Sequence, residues 1–167
     1  RDAAGPQKTI QIGLASLPTA AVNIKFEKVA DLGVDSDTPI GNLAAYEWLD
    51  TNDTVDLLQA PSIKSLKITG DRRHASAGDF ECDIDLSGSI TPRSHTFKTA
   101  KVAGSLEGAT WRIAGALDNL RVGQWVRNSR ILATVKVGTV RAGGTDGCDV
   151  YAGIDDGVTG LPDPDTD

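Results

Sequence analysis

Residues 115–134 read GALDNLRVGQWVRNSRILAT and residues 134–153 read TVKVGTVRAGGTDGCDVYAG, with few identical letters but the same apolar offsets. Phe97, Leu117 and Val137 carry the register through three copies at a spacing of twenty. Three residues on stand Ala100, Leu120 and Val140, then Val102, Val122 and Ala142, then a glycine turn at Gly104, Gly123 and Gly143. The second half of each copy aligns Trp111, Ile131 and Val150, followed two residues later by Ile113, Ala133 and Ala152. A longer copy carries Ile63, Leu66, Ile68 and Gly70, then Ile84 and Leu86. Earlier copies read Ile40, Leu43, Ala45, Val55 and Leu57, and before them Ile24, Phe26, Leu32 and Val34.

Within each copy the apolar residues alternate, the period of a strand with one buried face. Each copy is thus two short strands separated by Gly, Asn, Asp or Ser. A unit of about twenty residues cannot bury its own apolar face, but stacked on its copies it can. The fold expected is all-β: a parallel β-solenoid, or β-helix, of two-strand rungs about 4.8 Å apart. Each column of such a stack needs only an apolar residue of tolerable size, which is why offsets persist while letters drift. The stretch IGNLAAYEWLDTNDTVDLLQA at 40–60 alone tempts a helix, and its TND break and the register place it in strands. Rung spacings of 23, 34, 20 and 20 leave a Greek-key β-sandwich as the alternative fold. The organisation expected is a lead-in or cap over 1–23, repeats over 24–154, and an acidic tail over 155–167.

Composition narrows the function. The 167 residues suffice for one domain with a core, and a net charge of −6 argues against nucleic acid as a partner. No apolar run reaches about 18 residues, so no membrane insertion is expected. Methionine is absent even at position 1, and the chain closes on the turn-rich GLPDPDTD. A section of a longer polypeptide is therefore expected, with any secretion signal upstream. Cys82 and Cys148 lie outside any CxxC, and a zinc site would need both to converge with His74 and His95. Cys82, Ala109, Ser129 and Cys148 share a column of small inward residues. Three rungs apart, roughly 14 Å, the two thiols are too distant for a disulfide.

At these residues the sequence resembles long, repeat-rich secreted proteins of environmental bacteria that form parallel β-solenoids. The segments that carry the likeness are PSIKSLKITGDRRHASAGDFECDIDLSG, KTAKVAGSLEGATWRIAGALDNLRVGQWVRNSRI and VKVGTVRAGGTDGCDVYAGIDDGVTGLP. The resemblance implies a structural or adhesive segment at the cell surface or outside the cell, and it carries over no catalytic residue.

Candidate ligand sites are few. Asp83 and Asp85 flank Ile84 and project together from one strand, with Arg112 and Arg130 in the matching outer column of later rungs; such a group suits acid/base or lyase chemistry on acidic polysaccharides. The same charges also serve solubility, with Arg130 and Asp149 as a cross-rung pair. The polar excursion DRRHASAGD at 71–79 offers Arg72, Arg73 and His74 to an anionic glycan. Trp125 is the tryptophan placed for sugar stacking, whereas Trp111 falls in an inward column. Calcium is the small ligand suited to the acidic turns: Asp35 and Asp37, Asp155 and Asp156, and the alternate Asp163, Asp165 and Asp167. NDT at 52–54 matches the glycosylation acceptor pattern. No phosphate-binding glycine loop, GxSxG or HExxH occurs.

Two functions follow as expectations. One is a non-catalytic structural or adhesive segment of an extracellular repeat protein, its partners neighbouring repeats or a second copy, with glycans as further ligands. The alternative is a carbohydrate-binding or polysaccharide-acting β-helix module, with calcium as a stabilising ion.

Overall fold

A computed structural model describes residues 8–13, 21–52, 54–88 and 95–153. Among the described residues every ladder between strands is parallel, and the strands stack into a solenoid of about seven turns, which excludes the Greek-key sandwich. The register read from the sequence is the register of the stack. Phe97 lies between Ile63 and Leu117, Ala100 between Leu66 and Leu120, and Trp111 between Ile84 and Ile131. The 40–60 stretch is strand, as its register requires: Ile40–Ala45, Glu47–Leu49 and Leu57–Ala60.

The rung has three sides rather than two. One turn runs Ala116–Val122 on the first face, Trp125–Arg127 on the second and Arg130–Ala133 on the third. The second face is two or three residues wide, too short for alternation to register in a sequence. What the sequence presents as a turn is a strand between two tight corners, and one residue per rung there points inward. Trp48, Phe80, Leu106 and Val126 form that inward column, all buried.

The third side also corrects two alignments in the early rungs. Val34 and Ser36, not Leu32 and Val34, share the columns of Ile84 and Leu86, through Leu58 and Ala60. Likewise Leu58 and Ala60 replace Val55 and Leu57. Val55 is 58% exposed and lies outside the strand Leu57–Ala60.

One left-handed residue turns the chain from the second face to the third. Asp31, Gly108, Asn128 and Gly147 all have φ between 47° and 64° there. Gly, Asn and Asp tolerate that conformation best. The next residue points into the corner and must be small: Ala109, Ser129 and Cys148 occupy it in the regular rungs. Ser129 satisfies its hydroxyl locally, donating to the Arg127 carbonyl at 2.7 Å and accepting from the Ala109 amide at 3.3 Å.

Aromatic side chains link the first rungs across the interior. Phe26, Trp48, Phe80 and Trp111 contact edge to face in sequence, with centroids 5.7, 5.8 and 5.9 Å apart. Each such pair adds about 0.5–1.5 kcal/mol beyond burial. Regular structure also reaches into the segment read as a lead-in. Lys8–Ile12 pairs with Leu32–Ser36 as the outermost strand of the third face, and Val22–Lys25 pairs with Ile40–Ala45 on the first.

Candidate functional site

The excursion at 71–79 leaves the stack at the corner between the first and second faces. Asp71 caps a single 3-10 turn, Arg72–His74, accepting from the Arg73 amide at 2.9 Å. The His74 ring meets the Asp71 carboxylate, and that hydrogen bond holds the Asp71 carboxyl below the usual range. Lys28 donates to the His74 carbonyl at 3.2 Å and pairs with Glu47 at 3.5 Å, tying the loop to the second face. Between loop and stack lies an open hollow of about 810 Å³ lined by Glu27, Lys28, Tyr46 and the Gly70–His74 backbone turn. Arg72, Arg73 and His74 are exposed on its rim.

Asp83 and Asp85 do share the outer side of one strand on the third face. Asp83 is engaged, accepting from the Thr110 amide of the next rung at 2.6 Å. Half-burial raises its carboxyl above the ordinary range, against the Thr110 N–H and the Arg112 charge, which lower it. Asp85 sits in register with Arg112, and Arg130 pairs with Asp149 at 3.4 Å. Asp85 also borders a second hollow of about 400 Å³, shared with Asp35 and Asp37. Among the described residues no three Asp, Glu, His or Cys side chains gather as a metal site would require. Asp155, Asp156, Asp163, Asp165 and Asp167 lie outside the described residues.

Trp125 stands in the second-face strand Trp125–Arg127 rather than in a turn, 43% exposed. Its ring lies against Gly144 of the next rung, with the Arg127 guanidinium 5.1 Å from its centroid. Trp111 and Trp48 are fully buried. The side-chain nitrogen of Asn52, in the NDT motif, is enclosed.

Both cysteines are free thiols in the small inward column, three rungs apart. Asp56 is fully buried in that column and accepts from the Trp48 indole N–H at 3.0 Å. Burial, with Asp56 and Asp83 beside it, pushes the Cys82 thiol well above the ordinary range, an inert rather than a nucleophilic sulfur.

A feature of the first face went unread in the sequence. Lys67, Lys101, Arg121 and Arg141 occupy one outer column on four successive rungs, and Lys25 extends it beyond Ala44. The signal was available: these positions follow each aligned Leu66, Ala100, Leu120 and Val140 by one residue. The repeat is marked in the sequence by its inward apolar residues, and these cations lie on the opposite side of the strand. Comparisons with protein-family models, characterised proteins and solved structures return no match.

Proposed function

We propose that the chain is a non-catalytic scaffold, a structural or adhesive segment of a larger extracellular or cell-surface repeat protein. The observation that carries this is the last described rung. Its strands Lys136–Arg141, Gly144–Asp146 and Asp149–Ala152 each hydrogen-bond to one neighbouring strand only among the described residues. Its core-column residues Val140 and Val150 are 36% and 40% exposed, where their equivalents one rung back, Leu120 and Ile131, are buried. Among the described residues this edge and its part-exposed core columns form a surface on which a further rung or another chain can stack. The strongest acid/base candidate, Asp83, supports the same conclusion, since its carboxylate holds a backbone amide in the stack.

The test is the mass and location of the native polypeptide, read with an antibody against this segment on the fractionated source. A band far above 17.5 kDa in the surface or secreted fraction is the expected result. A band near 17.5 kDa in the cytosolic fraction contradicts the proposal.

A further inference from the structure

The outer side of the first face is a row of cations on an acidic protein. Lys67, Lys101, Arg121 and Arg141 are all exposed and stacked one per rung, roughly 4.8 Å apart. Like charges directly opposite one another destabilise a sheet. Other cations avoid this by pairing: Arg130 with Asp149 and Lys28 with Glu47 on the other faces, and Lys136 with Asp118 at the start of the first-face strands. Asp118, the acid in the described first-face strands, is bracketed by His95 and Lys136. The four ladder cations have no ion pair among the described residues, and Lys64 and Lys98 add to the same face. A repulsive stack at the surface of a chain of net charge −6 is explained by a ligand that neutralises it.

Beside the cations runs a second outer column of Ser65, Thr99, Asn119 and Thr139, all neutral hydrogen-bonding side chains. The two columns wall a shallow groove of about 410 Å³ along the solenoid axis, from Thr99 and Lys101 to Thr139 and Arg141. A further hollow of about 330 Å³ flanks the cations on the other side, between Lys67, Thr69 and Gly123. The buried Phe97 leaves no aromatic platform on this face for bases to stack on, so single-stranded nucleic acid is poorly served. Carboxylates for the Lys/Arg column and hydroxyls for the Thr/Asn column describe a polyuronic acid, whose sugars advance by a distance close to one rung. From this we infer that the first face binds a linear acidic polysaccharide laid along the solenoid axis. This names the ligand class for the adhesive part of the proposal above; the native-mass test is independent of it, so either can fail alone.

The test is titration of the whole chain at neutral pH and low salt with oligogalacturonate, a dextran of equal length, polyglutamate and oligothymidylate. Oligogalacturonate is expected to bind, to weaken steeply with added salt, and to be preferred over the other three. Arg121→Glu is expected to lose about tenfold in affinity with an unchanged or higher Tm, since it relieves the like-charge stack. Lys8→Glu, the same charge change on the third face, is expected to shift affinity less than about twofold. No uptake of oligogalacturonate overturns the inference, as does equal binding of polyglutamate or oligothymidylate. Equal losses in Arg121→Glu and Lys8→Glu also overturn it.

Discussion

At the scale of single residues, the corner between the second and third faces shows how local chemistry sets the stack. A left-handed residue followed by a small one recurs at Gly108–Ala109, Asn128–Ser129 and Gly147–Cys148. The rung that carries Cys82 has Glu81 before it, accepting from the Asp50 amide at 2.9 Å, and Asp83 after it. Both acids are partly withdrawn from water. Burial raises the Glu81 carboxyl, the Asp50 N–H opposes that, and the charges of Glu107, Asp79 and Asp50 raise it further. Burial likewise raises Asp83. A carboxyl whose folded pKa lies above its unfolded value binds its proton more tightly when native. Its contribution to stability therefore appears as pH falls through the folded pKa and is lost as pH rises. Stability should accordingly fall as pH rises out of the ordinary carboxylate range, about pH 4, toward neutrality, and Glu81→Gln/Asp83→Asn should flatten that dependence. Equal slopes in the two proteins would show that these carboxyls are not its source.

At the scale of elements, the irregular rung lengths resolve into insertions at corners. From Val102 to Leu106 the chain crosses from first to second face in four residues, and from Ile68 to Phe80 it takes twelve. Gly78 occupies the place of Gly104, whose amide donates to the Gly78 carbonyl at 2.9 Å, and the backbones of Gly70 and Gly78 abut. Deleting residues 70–77 would therefore restore a regular rung. The expected change is within about 1 kcal/mol, a Tm shift of about 2–4 °C, since surface excursions cost little loop-closure entropy. Loss of cooperative unfolding would mean that the loop holds the stack together. The deletion also removes Arg72, Arg73 and His74, so oligogalacturonate binding that survives it places the ligand on the first face.

The same elements show what a sequence reveals of such a fold. Where successive rungs keep the twenty-residue spacing, as at Phe97–Val102 and Arg130–Ala133, the buried columns were legible. The second face was not, because Leu106–Glu107 is too short to show a period. The early third-face columns slipped, by two residues at Val34 and Ser36 and by three at Leu58 and Ala60, because the spacing between these early rungs departs from twenty. Of the candidate sites, the exposure of Trp125 and the shared side of Asp83 and Asp85 were legible. The engagement of Asp83 by Thr110 comes from the adjacent rung and leaves no local mark.

At the scale of the whole molecule, net charge conceals its own distribution. A value of −6 argues against polyanionic partners only if charge is spread evenly, and the parallel stack prevents that. In-register stacking multiplies whatever one rung presents, so a basic residue kept at one offset becomes a basic stripe. Both the scaffold proposal and the binding face require that stripe to be straight and in register. The most direct measurement is the distance between spin labels at Lys25→Cys and Arg141→Cys, in a chain carrying Cys82→Ala and Cys148→Ser. These ends of one column lie five rungs apart, about 24 Å, and Lys67→Cys with Arg141→Cys spans three, about 14 Å. Two narrow distributions whose centres differ by roughly two rung spacings, near 10 Å, are predicted. Broad distributions, or a difference unrelated to rung number, would contradict the stack and the face built on it.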